Sequence, residues 1–119
     1  MDKRKKLEKY ILNEFQAVDN KTFLYQLHED CFFNKKKFSK LLTKCNNLTK
    51  EYCEFGKSNN YNEVVKSIFA IFQYTFFALF NHFAENDIFI ISNYGKDLTP
   101  RDVSKYYFQI SEITKKIIL

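Results

Sequence analysis

The sequence predicts an all-α protein: one domain over residues 1–119, a bundle of five to six helices around a central Phe-rich helix. Only two Gly and one Pro interrupt 119 residues, too few for the many turns of an all-β chain. Hydrophobic residues make up 45% and aromatics 18%, with 14 Phe, enough apolar area for one core and too little chain for two. Apolar positions also recur at helical spacing along most of the chain.

The first helix begins near Asp2 and ends near Ala17, with Leu7, Tyr10, Ile11, Phe15 and Val18 as its apolar stripe. "VDNKTF" supplies a turn in which Asp19 or Asn20 caps a short helix with Phe23, Leu24 and Leu27 inward. The third helix runs from Asn34, an N-cap, to about Phe55, where Gly56 offers a left-handed stop. Its stripe is Phe38, Leu41, Leu42, Cys45, Leu48 and Tyr52.

"KSNNYNE" is a loop in which Asn60 and Glu63 resemble a capping box. Behind it Val64, Val65, Ile68, Phe69, Ile71, Phe72, Phe76, Phe77, Leu79, Phe80 and Phe83 cover most of one helix. The stripe Ser67, Ala70, Tyr74, Ala78, Asn81 and Glu85 is left as its edge to water. Lys66, Gln73, Asn81 and His82 interrupt the apolar run, so no membrane span is expected. Residues 87–91 fit either a helical turn or a short extended piece. The last helix is marked by Thr99 as N-cap, Pro100 at its first position and Asp102 in its first turn. Val103, Tyr106, Tyr107, Ile110, Ile113 and Ile117 form its stripe.

Charge is distributed unevenly. Residues 1–57 carry 13 Lys and Arg against 8 acids, whereas residues 58–119 carry 6 of each, so the whole excess of +5 lies in the first half. Lys35, Lys36 and Lys37 occupy the first turn of the third helix, where the helix dipole is positive and each lysine loses a few tenths to about 1 kcal/mol relative to an acid. Lys36, Lys40 and Lys44 repeat every four residues with Lys37 beside them, a positive ridge opposite the apolar stripe. These four lysines are the candidate partner-binding residues. Glu85, Asp87, Asp97 and Asp102 are the acids that could answer the ridge from within. AT-rich coding is a blander source of the same lysines, since Lys, Asn, Phe, Tyr and Ile supply 60 of the 119 residues.

Catalytic or cofactor chemistry has little to stand on. His28 and Cys31 could share a helical face, but no third ligand, C-x-x-C, H-x-x-x-H or glycine-rich phosphate loop accompanies them, so no metal and no cofactor is expected. His82 with Glu85 reads as a structural hydrogen bond rather than a general base. Cys45 and Cys53 lie roughly 12 Å apart along one helix, too far to bridge, and Cys31 makes an odd third, which suits reduced thiols in a cytoplasmic setting. Glu8, Asn13, Glu14 and Gln16 break the apolar run that a signal peptide would need. A ridge of lysines also fits a small basic nucleic-acid-binding module, although Arg4 and Arg101 are the only residues able to make bidentate base contacts.

"FLYQLHEDCFFNKKKFSKLL" (residues 23–42) and "IFAIFQYTFFALFNHFAENDIFII" (residues 68–91) resemble small all-helical immunity proteins of bacterial contact-dependent growth inhibition and related polymorphic toxin systems. The likeness lies in the Leu27-His28-Glu29 turn before an aromatic pair and a helix. It lies also in the aromatic helix ending His82-Phe83, followed by Asn86-Asp87 and an apolar segment. The resemblance implies a non-enzymatic cytoplasmic protein, monomeric until it binds one cognate toxin domain, commonly a nuclease, as a heterodimer. The basic first half departs from inhibitors that plug a nuclease cleft, which are usually acidic. The toxin would therefore offer an acidic surface outside its cleft, or the acids near Glu85, Asp87, Asp97 and Asp102 would make the contact instead.

Overall fold

Helical spacing and local caps carry most of the backbone into place in the computed structural model, which describes residues 2–84 and 89–118. Five helices follow in order: α1 Lys3–Gln16, α2 Phe23–Glu29, α3 Lys35–Phe55, α4 Tyr61–Phe83 and α5 Pro100–Ile117. Among the described residues there is no strand, only an isolated bridge between Tyr94 and Leu98. The all-α bundle read from the sequence is the fold.

The strongest local signals hold. Asp2 accepts from the Arg4 N–H at 2.7 Å, Asn34 accepts from the Lys37 N–H at 3.2 Å, and Thr99 with Asp102 closes a capping box. Gly56 ends α3 at φ +82°, where a side chain would be strained. Two other caps differ from expectation. Thr22, not Asp19 or Asn20, caps α2, because Asp19 is occupied in the preceding turn, accepting from the Lys21 N–H at 2.8 Å. Asn60 makes no side-chain cap bond, so the box with Glu63 does not form; its own N–H donates to the Ser58 hydroxyl.

α3 packs between α1 and α5, and α4 packs against α1, α2 and α5. The expected α3 stripe is buried throughout, as are Tyr106, Ile110, Ile113 and Ile117 of α5, whereas Tyr107, placed in the same α5 stripe by spacing, is exposed and Val103 half-buried. Phe23, Phe33, Phe38 and Tyr106 form one aromatic cluster with ring centroids 4.8–5.7 Å apart, which ties α2, the turn after it and the first turns of α3 and α5 together.

Two expectations about faces are corrected. On α1, Phe15 and Val18 are exposed while Glu8 and Glu14 are buried. Glu14 is inside because its carboxylate accepts the Phe23 N–H at 3.1 Å, satisfying an orphan donor at the start of α2. Glu8 is inside because the Tyr52 hydroxyl donates to it at 2.6 Å and the Ser58 hydroxyl donates beside it. On α4, the supposed wet stripe is reversed. Ser67 and Ala78 are buried along with Thr75, whereas Phe76, Phe77, Phe80 and Phe83 are exposed. Small side chains allow close packing, and the hydroxyls of Ser67 and Thr75 are satisfied four residues back, by the carbonyls of Glu63 and Ile71 at 2.9 and 2.8 Å. By length and composition α4 is long and apolar enough to cross a membrane, but 44% of its most apolar stretch is buried in the fold, and the core helix of a soluble protein passes the same test.

Residues 89–98 are irregular and held by long-range bonds. Ser92 donates to the Cys31 carbonyl at 2.7 Å, and the Ile91 N–H donates to His82 Nδ1 at 3.0 Å. His82 Nδ1 thus accepts a backbone amide, while the expected bond to Glu85 lies outside the described residues, as does Asp87. Phe89–Ile91 form no helical turn.

Candidate partner-binding face

The lysines at the head of α3 fall into three environments. Lys35 Nζ lies 2.9 Å from Asp102 Oδ2 and donates to the Asp97 carbonyl at 2.8 Å. Asp102 also accepts from the Thr99 N–H at 3.0 Å, so one carboxylate caps α5 and neutralises the first residue of α3. The bond from Lys35 and that from Thr99 hold the Asp102 carboxyl below the usual carboxylate range, and Asp102 in turn raises the Lys35 ammonium. Of the four acids considered as internal partners, Asp102 pairs through its side chain and Asp97 contributes its carbonyl.

Lys37 is half-buried and serves α1. Burial raises the Glu14 carboxyl above its ordinary value, while the Phe23 and Leu24 amides and then the Lys37 charge pull it back down. Lys37, Lys40, Glu14 and Asp19 surround a shallow groove of about 240 Å³. Lys37 is therefore part of the fold's own electrostatics.

Lys36, Lys40 and Lys44 form no ion pair among the described residues. Lys36 and Lys40 are exposed and Lys44 is half-buried. The Lys40 and Lys44 ammonium groups lie 5.6 and 5.7 Å from the centroid of the half-buried Tyr10 ring, inside cation–π range. The result is a tyrosine ringed by cations on the surface where α1 meets α3. Sequence reading placed Tyr10 only in an apolar stripe; its position under the ridge depends on how α1 packs on α3, for which the sequence carries no local signal.

The remaining candidates stay apart from this face. His28 is exposed and its Nδ1 lies 3.0 Å from Glu29 Oε1, at the rim of an apolar cavity of about 350 Å³ lined by Phe15, Leu24, Ala70 and Tyr74. No group of three metal-ligating side chains exists among the described residues. A cleft of about 640 Å³ lies along α1, lined by Arg4, Lys5, Lys9 and Asn60 among others. Arg4 is engaged there in the fold, since its Nη1 donates to the Gly56 carbonyl at 3.1 Å, which leaves Arg101 as the exposed arginine. Cys31, Cys45 and Cys53 are unpaired thiols, and burial pushes the Cys45 thiol far up, as expected of a small core side chain.

No family model, curated protein or solved structure matches this chain.

Proposed function

We propose that the chain is an immunity protein, a catalytically inert cytoplasmic binder that neutralises one cognate bacterial toxin domain, a nuclease by the resemblance of residues 23–42 and 68–91. The observation that carries the reading is the pair Lys40 and Lys44 over the half-buried Tyr10, with Lys36 beside them and none of the three in an ion pair among the described residues. An aromatic anchor ringed by cations suits a negatively charged protein surface: the lysines steer the encounter and the ring fills a pocket as charges are desolvated around it. An interface of about 800 Å² on each partner would extend well beyond these residues. Three unpaired thiols suit a reducing compartment. Arginine engaged in the fold at Arg4 disfavours base-reading by the same ridge.

The test follows from the three environments. Polymorphic toxin domains, with any encoded directly upstream tried first, are co-expressed with the chain and growth rescue scored; association with a domain that is neutralised is then followed by stopped flow. Lys36→Glu, Lys40→Glu and Lys44→Glu together, with Lys37 left in place for Glu14, should slow association about ten-fold or more at low salt and flatten its salt dependence. Unchanged kinetics would remove the ridge from the interface. Affinity for duplex or transfer RNA that falls steeply with salt, without rescue, would replace the reading with a nucleic-acid-binding module.

A further inference from the structure

We infer that the exposed aromatic face of α4, with Tyr107 of α5 beside it, is where two copies of this chain meet. The face begins as a sequence pattern. Phe69, Gln73, Phe76, Phe80 and Phe83 are spaced four, three, four and three residues apart, the alternation that keeps one seam of a helix facing a partner helix. The fold leaves the seam and its flanks uncovered: on the seam Phe76 is 39% exposed, Phe80 75% and Phe83 58%, and beside it Phe77 is 61% and Tyr107 of α5 56% exposed. Between α4 and α5 the seam opens into a groove of about 390 Å³ lined by Phe69, Phe72, Phe76, Tyr107 and Ile110.

Area and charge select the occupant. At about 200 Å² per aromatic side chain, those five exposures amount to roughly 600 Å² of apolar surface per copy, at the top of the range for the largest patch on a typical monomer. Two such faces bring together about 1,200 Å², past the ~1,000 Å² that a specific interface needs, before any other atom is counted. From Ser67 to Ala84 there is no formally charged side chain, so this face meets its own copy without like-charge repulsion. A lipid surface is the poorer fit, because membrane-lying helices carry Lys and Arg along the polar side of their apolar face, and from Ser67 to Ala84 α4 carries neither on any side. Gln73, the polar residue within the seam, would fix its register. A two-fold dimer departs from the monomer expected from the sequence, and it stands or falls separately from the proposed immunity role, which uses α1 and α3.

The full chain is examined by sedimentation equilibrium from about 1 to 100 µM, where twice the chain mass is expected. Phe80→Glu should raise the dissociation constant about 100-fold or more, since the change is felt twice across a two-fold axis, with an unaltered far-UV spectrum. Phe55→Glu, equally exposed but at the end of α3, should leave the dimer intact. Should Phe80→Glu fail to fold, amide exchange in the unmodified protein still decides: residues 76–83 should gain protection as concentration rises. A monomer at 100 µM, a dimer indifferent to Phe80→Glu, or concentration-independent exchange would each overturn the inference. So would a monomer that instead floats with phosphatidylserine vesicles and loses that binding on Phe80→Glu, which would make the face a lipid surface.

Discussion

Asn93→Ala tests whether one amide holds the irregular segment against the head of α3. Asn93 is buried and makes three bonds. Its Oδ1 accepts the Phe33 N–H at 3.0 Å, and its Nδ2 donates to the Phe33 carbonyl at 2.7 Å and to Asp97 Oδ1 at 2.7 Å. The pair of bonds to Phe33 imitates the two-way exchange of neighbouring strands, across 60 residues of sequence. Phe33 is wholly buried, so alanine would orphan a backbone donor and acceptor that water reaches poorly, at about 1–3 kcal/mol each. The exposed Asp97 regains a water bond and adds little. A loss of about 2–6 kcal/mol follows, and with an unfolding entropy near 0.25 kcal/mol/K for a chain of this length the melting temperature should fall by roughly 8–24 °C. Thermal unfolding followed by circular dichroism measures it. A drop under about 4 °C would show that Phe33 finds other partners and that the segment is not held by Asn93.

Two titration experiments follow from the site. Glu14→Gln keeps an oxygen for the Phe23 N–H and removes a buried charge. Because burial raises the Glu14 carboxyl, ionisation there opposes folding, so the variant should melt up to about 4 °C higher at neutral pH, with the advantage fading as pH falls through the carboxyl's folded value; a clearly lower melting point would mean the charge itself is needed at the start of α2. Asp102 has the opposite sign. Lys35 and Thr99 lower its carboxyl, so its contribution is full above the usual aspartate value near 4 and is lost as pH falls through the lower folded value. Asp102→Asn should therefore melt below the natural chain at neutral pH, and the gap should close in acid; a gap that persists at pH 2 would assign the effect to cap geometry instead.

What could be read from the chain was what adjacent residues decide. Asn34 and Thr99 as caps, Asp102 in the first turn of α5 and the α3 stripe are set by neighbours in sequence, and each stands where spacing put it. What escaped depends on contacts across the fold. Glu8 looked like a residue that breaks an apolar run, yet it is buried by bonds from Tyr52 and Ser58, 44 and 50 residues away. On α4 nearly every position is apolar or small, so periodicity could not choose which side faces the bundle. The inward side went to residues that let α1 approach, and the larger rings were left outside. At the candidate site the ridge was legible as spacing, but the division of its lysines among Asp102, Glu14 and Tyr10 was not, because those partners lie on α5 and α1.

That division explains how a helix tolerates three lysines in its first turn. Dipole repulsion is felt within that turn and fades beyond it, so Lys40 and Lys44 bear little of it. Lys35 recovers its share through Asp102, and Lys37 gains from facing the buried Glu14 carboxylate. Lys36 is left with an uncompensated penalty of a few tenths of a kcal/mol, small enough for the packing of the α3 stripe to carry. Folding thus does not require an external anion, and a partner for the ridge must be argued from the Tyr10 ring that Lys40 and Lys44 flank rather than from helix strain. Their shared charge also has a negative consequence for assembly. Two copies cannot join comfortably ridge to ridge, whereas the α4 face from Ser67 to Ala84 carries no such barrier, so the proposed self-association and the proposed recognition of an acidic surface would draw on different elements of the bundle.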